Sequence, residues 1–346
     1  MRPDGDPAAE VEFRTSGQSG EPVGWLRTRA QLHAETALLA RSVVGEVDRV
    51  VNYAPPRHLY GRLFGELLPA HLGVPVHQLW RTPLTPPHLP ADARTLLVCL
   101  PSTWVVLRSV VDDIRAARGV VAVHSTGPTT AITHTVVRSL ADAPFRAVEI
   151  LGATETGAIA HRRLAPRGPD ATGAALWTLF DDVTLVRDDP TRREQPLCVA
   201  SPRLARRHDM PGPPATLQLE DLVRPVTERR FELLGRTTRM IKVNGRRLRL
   251  EHVEEALRRV FPHADLVCVP KIDRVRAEHY DVYYASGPDR IAAGDIYDAL
   301  AAAAPGTPPP RRVHRVPRIP RGGTGKVRLD RLLAVAEREE ATSGAG

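Results

Sequence analysis

The sequence predicts an α/β chain in two parts: a large N-terminal domain of mixed sheets with flanking helices, and a small α+β domain after it. Three observations carry this reading. Short apolar runs alternate with amphipathic stretches through roughly the first 175 residues, the pattern of strands and helices that places ligand-bearing loops at strand ends. After that point the texture changes to short strand-like segments separated by turns. Finally, 346 residues with 42% hydrophobic and 25% charged content suffice for two domains.

Each element follows in order. "FRTSGQSGEPVGW" (13–25) is a loop of small hydroxylated residues and glycines. Residues 27–48 have helical apolar spacing and read as an amphipathic helix. "RVVNYAPP" is a strand ending at a Pro-Pro turn, and "RHLYGRLFGELLPAHLGV" is a helix broken by its glycines. "TLLVCLPSTW" and "GVVAVHSTG" are buried strands running into loops, "TTAITHTVVRSLADA" is a helix, and "FRAVEILGATETGA" is a strand and loop. "LWTLFDDVTLVRDD", "QPLCVASP" and "ATLQLEDLVRPV" read as antiparallel strands. "FELLGRTTRMIKVNGRRLRLEHVEEALRRV" gives a hairpin-like pair and a helix starting near Glu251. Two strands, a helix over "RIAAGDIYDALAAAA" and a stiff "PGTPPPRR" linker complete the chain. The boundary is expected near 235–240, dividing the chain into 1–235 and 236–346.

Composition narrows the function classes. A net charge of +8 and a pI near 9.9 favour an anionic partner: nucleic acid, a nucleotide, coenzyme A or an acidic carrier protein. Nucleic acid has only charge behind it, because the basic residues are scattered and no aromatic platform accompanies them. The apolar runs are short and interrupted by charge, so no membrane span is expected. The opening "MRPDGDPAAEVEF" does not read as a secretory signal. Cys99, Cys198 and Cys268 are widely spaced and read as reduced core residues of a cytoplasmic protein. Of 48 basic residues only Lys242, Lys271 and Lys326 are lysines.

Six stretches suggest chemistry. "TSGQSGEP" offers glycine-freed backbone N–H groups and hydroxyls to an anion, although by itself a surface turn explains it equally well. "HSTGPTT" (124–130) and "EILGATETG" (149–157) are turn-rich loops after strands. Glu155 in the second is either a magnesium ligand or a solvated loop glutamate. The acidic pair in "LQLEDLVRP" either accepts from a ribose diol or ends a strand. "GRTTRMIKVNGRRLRLEHVEEAL" carries Arg236 and Lys242, and "RIPRGGTGKVRLDRL" carries Lys326 after a second glycine-rich loop.

In this order the six stretches resemble the motifs of the adenylate-forming superfamily: acyl- and aryl-CoA synthetases, adenylation domains of peptide synthetases, and luciferase. "TSGQSGEP" is similar to its phosphate loop, "STGPT" to its SGGAPL-type segment, "LGATE" to its YGxTE and "LED" to its TGD. "GRTTRMIKVNGRRL" is similar to its GRxDDxIKxxGxRI, and "PRGGTGKVRLDRL" to its PxTxxGKxxRxxL. The resemblance runs from residue 13 to about 335. It implies a shortened adenylate-forming fold whose small C-terminal domain is mobile, hinged at Thr238. It also implies ATP-dependent activation of a carboxylic acid with Mg2+, followed by transfer to coenzyme A or to the phosphopantetheine of an acyl carrier protein. A natural-product pathway, an amide-forming variant and a non-catalytic interaction subunit stand beside this.

Carried over by resemblance, Thr15, Ser16, Gly17, Ser19 and Gly20 hold the β- and γ-phosphates. Gly127, Pro128, Gly152 and Ala153 line the adenine, Thr154 binds the α-phosphate and Glu155 the magnesium. Asp221, helped by Arg236, takes the ribose hydroxyls, Lys326 serves the first half-reaction and Lys242 the second. His58 and Tyr60 are candidates for the substrate pocket, and Lys271 reads as a solvated strand-end lysine. Val23 stands where the phosphate loop usually has lysine, with Arg14 or Arg27 as replacement charge, and Leu151 stands where an aromatic usually stacks on adenine. The phosphate loop begins at residue 15, so a homodimer or a partner chain is expected to cover the core that the family's preceding section covers.

Overall fold

The structure, a computed structural model, describes residues 6–14, 23–127, 129–165, 176–187, 189, 191–236, 239–243, 246–273, 277–286, 291–322 and 325–343. It divides into two compact units. The larger comprises Met1–Leu219, Val223–Leu233 and Gly323–Gly325, and the smaller Glu220–Leu222, Leu234–Gly322 and Lys326–Gly346.

A parallel array organises the larger unit. Strands β1 (Arg49–Asn52), β2 (Val76–Gln78), β3 (Arg94–Cys99), β4 (Gly119–His124) and β5 (Phe145–Ala153) lie in the order β2-β1-β3-β4-β5, each pair parallel. Their near-continuous apolar character is what a sheet covered on both faces requires. Alternate residues feed two separate cores: Leu96 and Val98 of β3 join Val50, Val123 and Ile150 on one face, while Leu97 and Cys99 join Val51, Ala122 and Ala147 on the other. Among the described residues the sheet continues antiparallel from β5 to β6 (Gly157–Arg163) and β7 (Trp177–Leu179), then through four further strands. Cys99 and Cys268 are buried and Cys198 partly so, all three as free thiols.

Two readings need correcting. The segment "RHLYGRLFGELLPAHLGV" is not broken at its glycines: it stays helical from Leu59 to Leu72, because Gly61 lets the helix lie directly against the Pro55 carbonyl. The first helix also starts later than residue 27. Gly24–Thr28 is a strand, and Thr28 caps the helix at Arg29. Thr28 Oγ1 accepts from the Gln31 amide at 3.1 Å while Gln31 Oε1 accepts from the Thr28 amide at 3.0 Å, a reciprocal capping box.

That capped helix carries the central polar element of the unit. Glu35 is fully buried, with Arg27 at 2.7 Å on one oxygen and Arg203 at 3.2 Å on the other. Arg203 also bonds Asp182 at 2.7 and 2.9 Å, and donates to the Ala158 carbonyl at 2.7 Å. Glu35 accepts from the Ala158 amide at 2.7 Å, so the cluster grips the backbone at the start of β6. Gly157, at φ +69°, makes the approach feasible. A Cβ there would lie 2.6 Å from a Glu35 oxygen and 2.9 Å from an Arg203 nitrogen.

In the smaller unit, hairpin Met240–Val243/Arg246–Arg249 leads into a helix at Leu250–Val260. Strands Asp265–Asp273 and Ala277–Ala285 pair antiparallel, with Val313–Arg315 parallel to the second. Leu250, Val253, Ile296 and Leu300 pack with Cys268 and Val282 on one face of this sheet, and Leu332 and Ala336 pack with Val267 and Tyr283 on the other.

Removing the Glu35 carboxylate takes from the buried Arg27 its carboxylate partner and leaves the buried Arg203 with Asp182 alone. Glu35→Ala is expected to lower unfolding free energy by about 3–5 kcal/mol, read from the urea midpoint. A loss below about 1 kcal/mol, the range of an exposed pair, would show that the cluster is not the anchor described. Gly157→Ala should also destabilise, through both the clash and the positive φ.

Candidate active site

Two of the motif loops lie side by side at the C-terminal edge of the parallel array, where open α/β sheets place their ligands. β4 and β5 are neighbours in register from Val120↔Phe145 to His124↔Glu149. Each strand ends in one of the expected loops: β4 leads into Ser125–Gly127, and β5 carries Gly152 and Ala153 at its end and Thr154 and Glu155 in the turn to β6. Ser125 Oγ donates to the Ile150 carbonyl at 3.0 Å and ties the β4 loop to strand β5.

The turn at Thr154–Glu155 is held from behind. The Ala205 amide donates to the Glu155 carbonyl at 2.8 Å, Thr156 Oγ1 accepts from the Ala153 amide at 3.2 Å, and the Glu35 cluster fixes Gly157 and Ala158. Thr154 and Glu155 are half-buried and Gly152 is exposed. The β5–β6 register shifts at Leu151/Gly152. A Cβ on Gly152 would collide with the Gly157 carbonyl, so hairpin packing already demands glycine there. Among the described residues no three His, Cys, Asp or Glu side chains gather as a metal cage. One carboxylate beside a hydroxyl is a donor set that suits magnesium, which takes one or two protein carboxylates together with phosphate oxygens.

The β4 loop rests on a residue that sequence reading passed over. His124 is fully buried; its Nδ1 accepts from the Trp104 indole N–H at 3.0 Å and its Nε2 lies 2.9 Å from the Gly127 carbonyl. Its only sequence signal was its place directly before "STG". Thr126, next in the loop, has φ +76°, a left-handed conformation uncommon for a β-branched residue.

Tyr60 is half-buried, and its hydroxyl lies 2.9 Å from the Val123 carbonyl and 3.2 Å from that of Cys99, at the ends of β4 and β3. Burial pushes the phenol well above its ordinary pKa, so it serves as a donor. His58 is half-buried just ahead of the helix that carries Tyr60. Leu151 is partly buried against the core of the larger unit.

Asp221 and Arg236 come together, Arg236 Nε lying 3.7 Å from Asp221 Oδ1. Burial raises the Asp221 carboxyl above its ordinary pKa, while Arg236 and Lys326 pull it down and Glu220 adds to the rise. Lys326 is exposed in a tight loop closed by the Gly322 amide donating to its carbonyl at 2.7 Å, with Gly325 at φ +80°. Lys242 lies on the hairpin strand opposite Arg247, and Lys271 is half-buried on the strand Asp265–Asp273. Thr15, Ser16, Gly17, Ser19, Gly20, Pro128 and Thr238 lie outside the described residues. Arg27 is not a replacement charge for the phosphate loop: it is buried and committed to Glu35, and Arg14 pairs with Glu12 at 3.0 Å.

No protein-family model matches the chain. Among characterised proteins it is 30% identical over 253 residues to a 4-coumarate–CoA ligase of Rhodobacter capsulatus, covering 72% of this chain and 57% of that one. It is 28% identical over 328 residues to a 4-coumarate–CoA ligase of Cereibacter sphaeroides, covering 93% of this chain and 71% of the relative. With the first of these the match spans little more than half of the relative's length. In fold it is similar to the anthranilate CoA ligase AuaEII in complex with anthranoyl-AMP, with TM-score 0.73 at 17% identity over 97% of this chain and 69% of that one. No helix among the described residues is long and apolar enough to cross a membrane. In sequence the chain is thus similar to 4-coumarate–CoA ligases, and in fold to an acyl-adenylate-bound CoA ligase, in line with the adenylate-forming resemblance of its six motifs.

Proposed function

We propose that this protein joins a small carboxylic acid to a thiol at the expense of ATP, by way of an acyl-adenylate, in a natural-product pathway. The thiol is that of coenzyme A or of a carrier-protein phosphopantetheine. The observation that carries this reading is the pair of loops on adjacent strands, Ser125–Gly127 fastened to β5 and Gly152–Glu155 backed by a buried ionic cluster. The names of the sequence relatives, and the anthranoyl-AMP held by a structural neighbour, support it.

In the first half-reaction a carboxylate oxygen attacks the α-phosphorus of ATP, and the bond to pyrophosphate breaks. Thr15, Ser16, Gly17, Ser19 and Gly20 cradle the β- and γ-phosphates. Gly127 and Pro128 flank the adenine with Gly152 and Ala153, and Asp221 accepts from the ribose hydroxyls with Arg236 holding its carboxylate. Thr154 donates to the α-phosphate. Glu155 would hold the magnesium, which neutralises phosphate charge when bound. Lys326 places a compact positive charge where charge moves between the carboxylate and the α-phosphate. In the second half-reaction the thiol sulfur attacks the acyl carbon and AMP leaves with the bonding oxygen. We assign residues 236–346 to a mobile domain that turns about Thr238 between the two steps and brings Lys242 to bear in the second. His58 and Tyr60 border the acid, with the Tyr60 hydroxyl fixing strand ends.

The test is pyrophosphate release with a panel of aryl and aliphatic acids, with coenzyme A or a carrier protein as acceptor. No release with any acid would overturn this reading in favour of a non-catalytic subunit, and acyl transfer to amines alone would replace the thiol with an amide-forming acceptor. Lys326→Ala should lower acid-dependent pyrophosphate exchange by about 100-fold or more, the scale of a lost transition-state charge contact. Asp221→Ala should raise KM for ATP about tenfold with a smaller change in kcat, as expected of binding shared by ground and transition states. Chelating magnesium should abolish exchange in the wild-type protein, with activity returning on re-addition; Glu155→Gln should need more magnesium for half-maximal rate.

A further inference from the structure

We propose that His124 is a positioning residue that sets the adenine-side turn Ser125–Gly127, relaying a hydrogen bond from the Trp104 indole to the Gly127 carbonyl. The inference rests on the adenylation reading and names a determinant of nucleotide binding in it.

The direction of the relay follows from donor inventory. An indole N–H can only donate, so at 3.0 Å the His124 Nδ1 must accept. A neutral imidazole with an accepting Nδ1 carries its proton on Nε2, which therefore donates to the Gly127 carbonyl at 2.9 Å. Both His124 and Trp104 are fully buried, so water cannot take over either bond. Burial also holds the imidazole below its ordinary pKa, with Glu149 and the bond to the Gly127 carbonyl opposing and Arg162 adding to the effect, and the net lowering favours the neutral form the relay needs.

The turn needs such a hold. Thr126 at φ +76° holds a strained backbone conformation, and strained residues persist only where their surroundings over-determine them. Those surroundings include three restraints among the described residues. Ser125 is fastened to the Ile150 carbonyl on one side of Thr126, Gly127 is fastened to His124 on the other, and Pro101 stands behind Gly127 so closely that an added Cβ would sit 3.1 Å from its Cγ. A histidine serving packing alone would have no reason to spend both ring nitrogens, one of them on the turn itself. With that bond gone, Thr126 can relax toward negative φ and carry Gly127 with it.

The experiment measures ATP and AMP dissociation constants by calorimetry for the full chain, with thermal melts alongside. His124→Leu should weaken both nucleotides about tenfold, the worth of one buried hydrogen bond. His124→Gln, whose amide can still donate to the Gly127 carbonyl, should stay within about threefold of wild type. Trp104→Phe frees the imidazole to take either tautomer. Its dissociation constant relative to wild type should therefore fall on acidification to below the ordinary imidazole range, because burial holds this ring's pKa down and the doubly protonated ring donates from Nε2 regardless. Packing by itself would give no rescue by glutamine and no such pH dependence. If the wild type binds nucleotide and His124→Leu binds equally well, or if the leucine and glutamine variants lose affinity alike, the relay is overturned while the adenylation reading stands. If His124→Leu does not fold, the glutamine and Trp104→Phe results decide. A wild-type protein that binds neither nucleotide overturns the adenylation reading, and this inference with it.

Discussion

Glu35 sits fully buried between two arginines, and the turn that carries Thr154 and Glu155 depends on that arrangement. Two positive charges in a protein interior are costly unless countered. Here one carboxylate counters both, and Asp182 shares the second. The same carboxylate accepts from the Ala158 amide while Arg203 donates to the Ala158 carbonyl, so both backbone groups of one residue are held. A strand held at its second residue cannot drift, and the turn before it is placed to within the slack of two or three bonds. The positive φ of Gly157 is the consequence: only a residue without Cβ lets the carboxylate come this close.

The second constraint is the sheet itself. Five parallel strands with cores on both faces leave their C-terminal ends as the place where irregular backbone can gather without breaking the ladders. Tyr60 and Ser125 tie these ends together, the first at the carbonyls of β3 and β4 and the second between β4 and β5. Side chains behind the loops thus hold the site's backbone in place. Precision in such a site comes from the supporting shell, because loops by themselves are mobile.

Seen this way, the arginine-rich composition has two separate meanings. Arg27 and Arg203 are structural, buried and committed to carboxylates, and a planar guanidinium that can bond several partners suits that work. Most other arginines in ion pairs lie at the surface, as with Arg115–Asp142 and Arg229–Asp181, and contribute solubility and field more than stability. A net charge read from composition cannot separate the two; of Arg14 and Arg27, the alternatives for the charge absent at Val23, Arg27 is one of the buried pair.

The sequence by itself determined the larger outline. Period-two and continuous apolar runs marked the strands, helical spacing marked the amphipathic helices, and six short stretches in order pointed to the superfamily. These signals are local, since they depend on residues within about ten positions of one another. Tertiary structure decided what local pattern cannot. Glu35 is 122 residues from Gly157 and 168 from Arg203 (157 − 35 and 203 − 35), so no motif could reveal that one carboxylate serves both. His124 looked like the last residue of a strand, and its partner Trp104 was an apolar residue of an unnoticed helix. The glycines of the segment 59–72 read as helix breakers, because the carbonyl that makes Gly61 useful lies across a turn. Sequence names the groups that do chemistry. Which buried groups hold them in place is settled only when distant segments compete for the same few hydrogen bonds in a space without water.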